Sequence, residues 1–95
     1  MNKRERNQRW AETAVSAELS KIRDLPADTN IFIPGNSFWH SLLKMAGLVN
    51  GGYKSQETLL SEILAACNHF TIEEKEIRYQ WQRACQQAKP RRLNT

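Results

Sequence analysis

The stretch SQETLLSEILAACNHFTIEEKEIRYQW, residues 55–81, decides the fold. Its first half repeats apolar side chains at steps of three and four, which places them on one face of an α-helix. These side chains are Leu59, Leu60, Ile63, Leu64, Cys67 and Phe70. Ser55 can cap this helix, and Thr71 with Glu74 forms a capping-box pattern that opens another helix over residues 72–88. The stretch therefore predicts two helices joined by a short turn.

The same periodicity predicts two more helices nearer the N-terminus. Residues 3–25 carry an apolar stripe and stop before Pro26, because the residue before a proline is displaced from the helical region. A second helix, capped by Asn36 or Ser37, runs to about Val49 and stops at two glycines. The expected inner faces comprise Trp10, Ala14 or Val15, Leu19, Ile22 and Leu25, then Phe38, Leu42, Met45 and Ala46, and in the last helix Ile77, Trp81, Ala84 and Ala88.

Length and composition agree with a single helical domain. The chain has 95 residues, of which 40% are hydrophobic and 25% charged, close to the average for globular proteins. No segment alternates as a half-buried strand would. We therefore predict an all-α fold, a compact bundle of four helices in one domain over residues 1–95. The first few residues and residues 91–95 are expected to fray.

Three tryptophans lie in three different predicted helices, and one or two of them are expected to anchor the core. Trp39, beside His40 and off the main apolar stripe, is our candidate for a surface ring that stacks on an unpaired base. The alternative is that Trp39 packs beneath the connector between the first two helices. That connector spans residues 26–36, and its Ile31–Ile33 segment is expected to tuck its side chains onto the bundle.

No pattern in the sequence carries catalysis. A glycine-rich phosphate loop and a Ser-His-Asp order are both absent, so we predict no catalytic residue, no cofactor and no enzyme activity of the chain by itself. Cys67 and Cys85 lack paired Cys-x-x-Cys spacing and are expected to be reduced core thiols, with no metal bound. Without a transmembrane or secretory segment, the protein is expected to be cytoplasmic and to have no membrane partner.

The charge distribution indicates a polyanionic partner. The net charge is +4, and residues 1–10 carry four cations against one acid. Residues 77–95 carry five cations and no acid. A basic patch built from both ends of the chain would suit nucleic acid, although simple solvation of the termini is the ordinary alternative.

The order of these features resembles a known module over Trp10–Arg92. The carrying motifs are WAETAVSAELSKIRDLP (residues 10–26), GLVNGG (47–52), the stretch 55–81 quoted above and Lys89-Pro90-Arg91. They resemble the helix-bundle domain associated with archaeo-eukaryotic-type primase–polymerases and primase–helicases of phages and plasmids. One departure is Tyr79-Gln80, where that family often has Ser-Gly. The resemblance implies a non-catalytic accessory module of DNA replication that contacts single-stranded template during primer initiation, beside a primase–polymerase or a helicase.

The predicted nucleic-acid-binding residues combine these arguments. The resemblance implies that Arg78 contacts nucleic acid. The other cations are predicted as contacts from the charge distribution, and Trp39 is predicted as a ring on which a base stacks. The full set is Arg78, Arg83, Lys89, Arg91, Arg92 and Trp39. Replacing Arg91 and Arg92 together is expected to weaken binding without lowering thermal stability.

Two alternatives to single-strand binding stay open. A protein-interaction adaptor, phage-encoded and docking on a replication or host protein, would expose Phe32, Ile33 and Trp39 together as an apolar patch. A helix-turn-helix regulator of duplex DNA is less favoured, because the link over residues 50–55 is long for that motif. The polar face of the third helix is also acidic, which does not suit a major-groove reader.

Overall fold

Four helices follow one another in the computed structural model, which describes residues 2–33 and 35–91. They are α1 (Lys3–Arg23), α2 (Ser37–Asn50), α3 (Gln56–Ala66) and α4 (Glu74–Gln87). The described residues contain no strand, and the predicted all-α four-helix bundle is confirmed. None of the helices in this part of the chain is long and apolar enough to cross a membrane.

Hydrogen bonds between helix ends set the topology. The Asn50 side chain at the end of α2 donates to the carbonyl oxygens of Cys85 and Ala88, at 3.0 and 2.9 Å, so α2 and α4 end together. At the opposite end of the bundle, the Thr71 N–H donates to the Ala27 carbonyl at 3.2 Å, which joins the start of α4 to the end of α1. The helices therefore run up, down, up and down, and α2 packs most extensively against α4 and α1.

Polar side chains begin three of the helices as helix-capping chemistry requires. Asn36 accepts from the Trp39 N–H at 2.6 Å, and Ser55 accepts from the Thr58 N–H at 3.3 Å, which confirms the caps predicted for α2 and α3. Asn2 caps α1 through the Glu5 N–H at 2.8 Å. Regular helix thus begins within the first few residues, where the sequence predicted fraying.

The predicted boundaries of α1 and α4 need correction. The capping box at Thr71 is wrong, because that residue bonds to the connector at Ala27 and the N-cap position falls to Glu73, whose side chain makes no capping bond. Helix α4 therefore starts at Glu74 and not at residue 72. Helix α1 ends at Arg23, two residues short of the prediction, because the chain is already in a turn before Pro26.

The core lies where the four apolar faces meet. Its largest fully buried side chains are Trp81, Phe38, Ile22, Leu42, Met45, Leu48, Leu59 and Ile63. Of the inner face predicted for α1, Val15, Leu19 and Ile22 are buried, whereas Trp10 and Leu25 are only half-buried and Ala11 is buried in addition. The Glu18 carboxylate is buried on the same face, where it accepts from the Ser41 hydroxyl at 3.0 Å and pairs with Lys21 at 3.3 Å. Helices α1 and α2 are thus joined by polar as well as apolar contacts.

Candidate nucleic-acid interface

The connector presents two apolar side chains to solvent. The Asn36 amide donates to the carbonyl oxygens of Ile31 and Ile33, at 2.9 and 2.6 Å, and so holds the loop in one shape. Ile31 is buried, but Phe32 is 52% exposed and Ile33 is 56% exposed. The expectation that all three tuck onto the bundle is therefore wrong for two of them. The loop curls around the Asn36 side chain, and only Ile31 is left on the inner side.

Beside this loop, an arginine of α4 lies over two aromatic rings. The guanidinium carbon of Arg83 lies 5.6 Å from the Trp39 ring centroid and 5.9 Å from that of Tyr79. Trp39 is half-buried, whereas Tyr79 is 54% exposed. A cation within about 6 Å of a ring centroid is attracted by the negative face of the ring, by about 0.5–1 kcal/mol at exposed sites. Arg83 and Trp39 thus form one preorganised unit at the surface.

This unit belongs to a longer groove between α2 and α4. One cavity of about 170 Å³ is bounded by the connector, Trp39 and Arg83, and a second of about 390 Å³ lies further along the same two helices. Gln87 lines both cavities, so they are adjacent on the surface. We call this surface, which includes Phe32, Trp39, Arg83, Lys44, Lys89 and Arg91, the α2–α4 groove.

The charge of the α2–α4 groove is of one sign. Four cations line its two cavities, Lys44, Arg83, Lys89 and Arg91, and none of the described residues lining them is an acid. The positive charge of Lys44 is offset in part by the buried Glu18 carboxylate, 4.0 Å away. Arg83 and Lys89 are exposed and make no ion pair within the described residues. The groove therefore offers both an aromatic face and a cationic path to a ligand.

Arg91 contributes to the fold as well as to this charge. Its backbone N–H donates to the Gly47 carbonyl at 2.8 Å, and its guanidinium carbon lies 5.6 Å from the Trp10 ring centroid. Gly47 and Gly51 let the chain come this close, because a Cβ on Gly51 would collide with the Arg91 carbonyl oxygen. Arg91 therefore lies packed on α1 and α2, at the first position of the segment predicted to fray. We no longer expect its replacement to leave thermal stability unchanged.

The remaining predicted site residues lie elsewhere. The exposed Arg78 side chain bonds to the Glu74 carboxylate at 3.0 Å on the α3 side of α4, in a depression that also contains Glu57. It does not share the α2–α4 groove with Arg83. Arg92 lies outside the described residues. The structure thus brings together Trp39, Arg83, Lys89 and Arg91 of the six predicted residues, and adds Phe32, Lys44 and Tyr79.

Burial accounts for the behaviour expected of the two thiols. It raises the pKa of Cys67 to about 12 and that of Cys85 to about 11, because a thiolate loses solvation inside the protein. Both side chains are therefore protonated thiols at neutral pH and poor nucleophiles. Within residues 2–33 and 35–91, no three His, Cys, Asp or Glu side chains are grouped so that they could hold a metal ion.

The docking of Arg91 predicts whether replacing Gly51 with alanine stabilises or destabilises the protein. Gly51 has φ −81°, a conformation that alanine also adopts, so Gly51→Ala alone would stabilise the helix end by up to about 1 kcal/mol. With Arg91 packed against it, we expect instead a loss of about 1–3 kcal/mol from overpacking. Thermal melting should then fall by roughly 4–8 °C per kcal/mol. A rise in melting temperature would show that the segment does not dock on α2.

Comparison with known proteins adds no relative to this picture. No protein-family model matches the chain, and neither a curated protein nor a solved structure matches it. None of these comparisons connects the chain to primase–polymerases. The geometry of the α2–α4 groove is therefore what indicates a function.

Proposed function

We propose that this protein binds single-stranded nucleic acid along the α2–α4 groove and has no catalytic role of its own. The observation that carries the proposal is the Arg83 guanidinium held over Trp39 in a groove lined by four cations and no described acid. Single-strand binding sites combine these two features, a positively charged groove that follows the backbone and aromatic side chains on which bases stack.

Each part of the groove has a distinct task in this proposal. An unpaired base stacks on the Trp39 face or on the exposed Phe32 ring, and Arg83 contributes cation–π attraction to the stacked base. Lys44 and Lys89 contact phosphates further along the path, and each phosphate neutralised releases counterions. Bases within a duplex are already paired and stacked, so this arrangement favours the single strand.

The resemblance to primase-associated bundles supports a more specific form of the proposal. In that form the ligand is single-stranded DNA template, held during primer initiation as part of DNA replication. A primase–polymerase or a helicase supplies the catalysis, and the work takes place in the cytoplasm. The Tyr79-Gln80 departure from the family pattern falls in the site itself, since Tyr79 lies under Arg83.

Fluorescence anisotropy tests the proposal. The probe is a labelled oligonucleotide of about 12 nucleotides, within the range of about 4–16 nucleotides that single-strand sites cover. The same sequence as a duplex is the control. We expect tighter binding of the single strand, with log K falling against log salt with a slope at least as steep as about −2 to −3, the value for three to four phosphate contacts in the groove. Absence of binding at low salt, or equal binding of both probes, contradicts the proposal.

One observation favours a second candidate function, a protein-interaction adaptor. Phe32 and Ile33 are adjacent and more than half exposed, and an aliphatic side chain such as Ile33 has no face on which a base can stack. Trp39, however, is half-buried, so it does not extend this exposed apolar patch fully. In nuclease-treated pull-downs, a specific protein partner retained by the wild-type chain and by Lys89→Gln but lost with Ile33→Asp would favour the adaptor.

A further inference from the structure

The first two turns of α1 form an exposed, strongly basic segment that the α2–α4 groove does not include. We call residues 3–9 the basic arm. It carries four cations and one acid, Glu5, and the cations are Lys3, Arg4, Arg6 and Arg9, all exposed. No residue of the arm is buried, because the core stripe of α1 begins at Ala11. Hydrophobic packing therefore does not explain this segment.

The cations of the basic arm also contribute little electrostatic stabilisation to the fold. None of them forms an ion pair within the described residues, whereas Lys21, Lys44, Lys75 and Arg78 all do. They lie at the end of α1 where the helix macrodipole is positive, so they oppose the dipole. Residues whose local effect opposes folding are expected at functional sites.

A cleft runs beside the basic arm. It has a volume of about 520 Å³ and lies between the arm and the loop after α2, lined by Lys3, Arg4, Asn7, Gln8, Gly52 and Tyr53. Trp10 packs edge-on against Tyr53, with 5.3 Å between the ring centroids. The residue that follows the arm is therefore packed against the loop after α2, at the edge of the cleft.

Trp10 also connects this cleft to the α2–α4 groove. Arg91, which lines the groove, lies over the Trp10 ring, while Tyr53, which lines the cleft, touches the same ring. A strand that follows the groove past Lys89 to Arg91 arrives beside the basic arm. Cations on three separate segments of the chain, Arg83, Arg91 and Lys3, therefore lie along this route.

We propose that the basic arm binds the phosphodiester backbone of the nucleic acid where the strand leaves the α2–α4 groove. This inference rests on the proposed function and extends the site by a second surface. The arm contacts phosphates and reads no bases, since cations dominate it, so its contribution is independent of base sequence. It engages only a strand long enough to pass beyond Arg91.

The test compares two double variants of equal charge. Lys3→Gln with Arg4→Gln removes one lysine and one arginine from the cleft, and Arg23→Gln with Lys75→Gln removes the same pair from the opposite end of the bundle. Glutamine keeps the helix propensity of the residues it replaces. Binding is measured against salt for oligonucleotides of about 4 and about 12 nucleotides, which bracket typical single-strand sites.

We expect the arm variant to make the salt slope for the longer oligonucleotide shallower by about 1.4, since each phosphate contact on a single strand contributes about 0.7. The shorter oligonucleotide should show no change, and the opposite-end variant should bind both as the wild type does. The melting temperature of the arm variant should not fall, which separates lost contacts from misfolding.

Three results would overturn the inference or its basis. Equal slopes for the arm and opposite-end variants would remove the arm from the site and leave the groove intact, provided that Trp39→Ala still weakens binding. A slope change of the same size with the shorter oligonucleotide would overturn the continuous path. Failure of the wild-type protein to bind either oligonucleotide would overturn the proposed function and the arm together.

Discussion

Replacing Trp39 with alanine is expected to weaken binding of single-stranded DNA by about 5- to 150-fold, because a base–aromatic stack is worth about 1–3 kcal/mol. The ring lies in the α2–α4 groove beneath Arg83 and is half-buried, so part of its surface is already covered by the protein. The salt slope should stay near the wild-type value, since stacking releases no counterions. Anisotropy titrations at several salt concentrations measure both quantities.

Conservative variants separate stacking from packing at Trp39. Trp39→Phe keeps an aromatic face and should retain most of the affinity, while Arg83→Gln keeps the helix and removes the cation. If Arg83 acts through the ring, the effects of Trp39→Ala and Arg83→Gln should not add in the double variant. Wild-type affinity in a folded Trp39→Ala protein would be inconsistent with base stacking at this residue.

Local patterns accounted for most of the fold. The periodic apolar positions and the Asn36 and Ser55 caps predict helices within short windows, and these bonds form within the windows themselves. Thr71 matched a local capping pattern equally well, but a contact with Ala27, 44 residues earlier in the chain, decided its role. The α4 boundary was therefore beyond reach of a local argument, because sequence-distant residues compete for the same donors.

The sequence contains a signal for part of the candidate site that the charge distribution does not show, namely the spacing of residues along α4. Arg78 and Arg83 are five positions apart, which on a helix of 3.6 residues per turn separates them by about 140°, so one surface cannot hold both. Tyr79 stands four positions before Arg83, the spacing at which side chains meet on a helix. Helix geometry alone could have separated Arg78 from the groove and added Tyr79 to it.

Other parts of the site had no such signal. The exposure of Phe32 and Ile33 depends on three carbonyl oxygens converging on one Asn36 amide, a loop shape that composition does not specify. The docking of Arg91 depends on Gly47 and Gly51, which stand one turn apart on the side of α2 that faces Arg91. Glycines at that spacing permit a close approach, but the sequence does not say which segment approaches.

The largest effect on stability is expected at Trp81, which separates the core from the site. Trp81 has no exposed surface, and its indole N–H donates to the Gln56 carbonyl at 3.1 Å, joining α4 to α3. Trp81→Ala should cost about 3–5 kcal/mol through the cavity it leaves. That loss is a large part of the whole stability of a domain, which is about 5–15 kcal/mol. At about 4 °C or more per kcal/mol, the melting temperature should fall by at least about 12 °C. Chemical or thermal denaturation followed by circular dichroism measures the loss.

Trp81→Phe provides the control, because it keeps most of the buried ring and loses the hydrogen bond to Gln56. It should remain folded, cost less than the alanine variant, and bind single-stranded DNA as the wild type does, since the buried indole offers no face to a base. Trp39→Ala should show the opposite pattern, with affinity falling more than stability. If the Trp81→Phe protein instead lost affinity while melting normally, the binding surface would lie on the α3–α4 side, where Arg78 is, and the α2–α4 groove would not be the site.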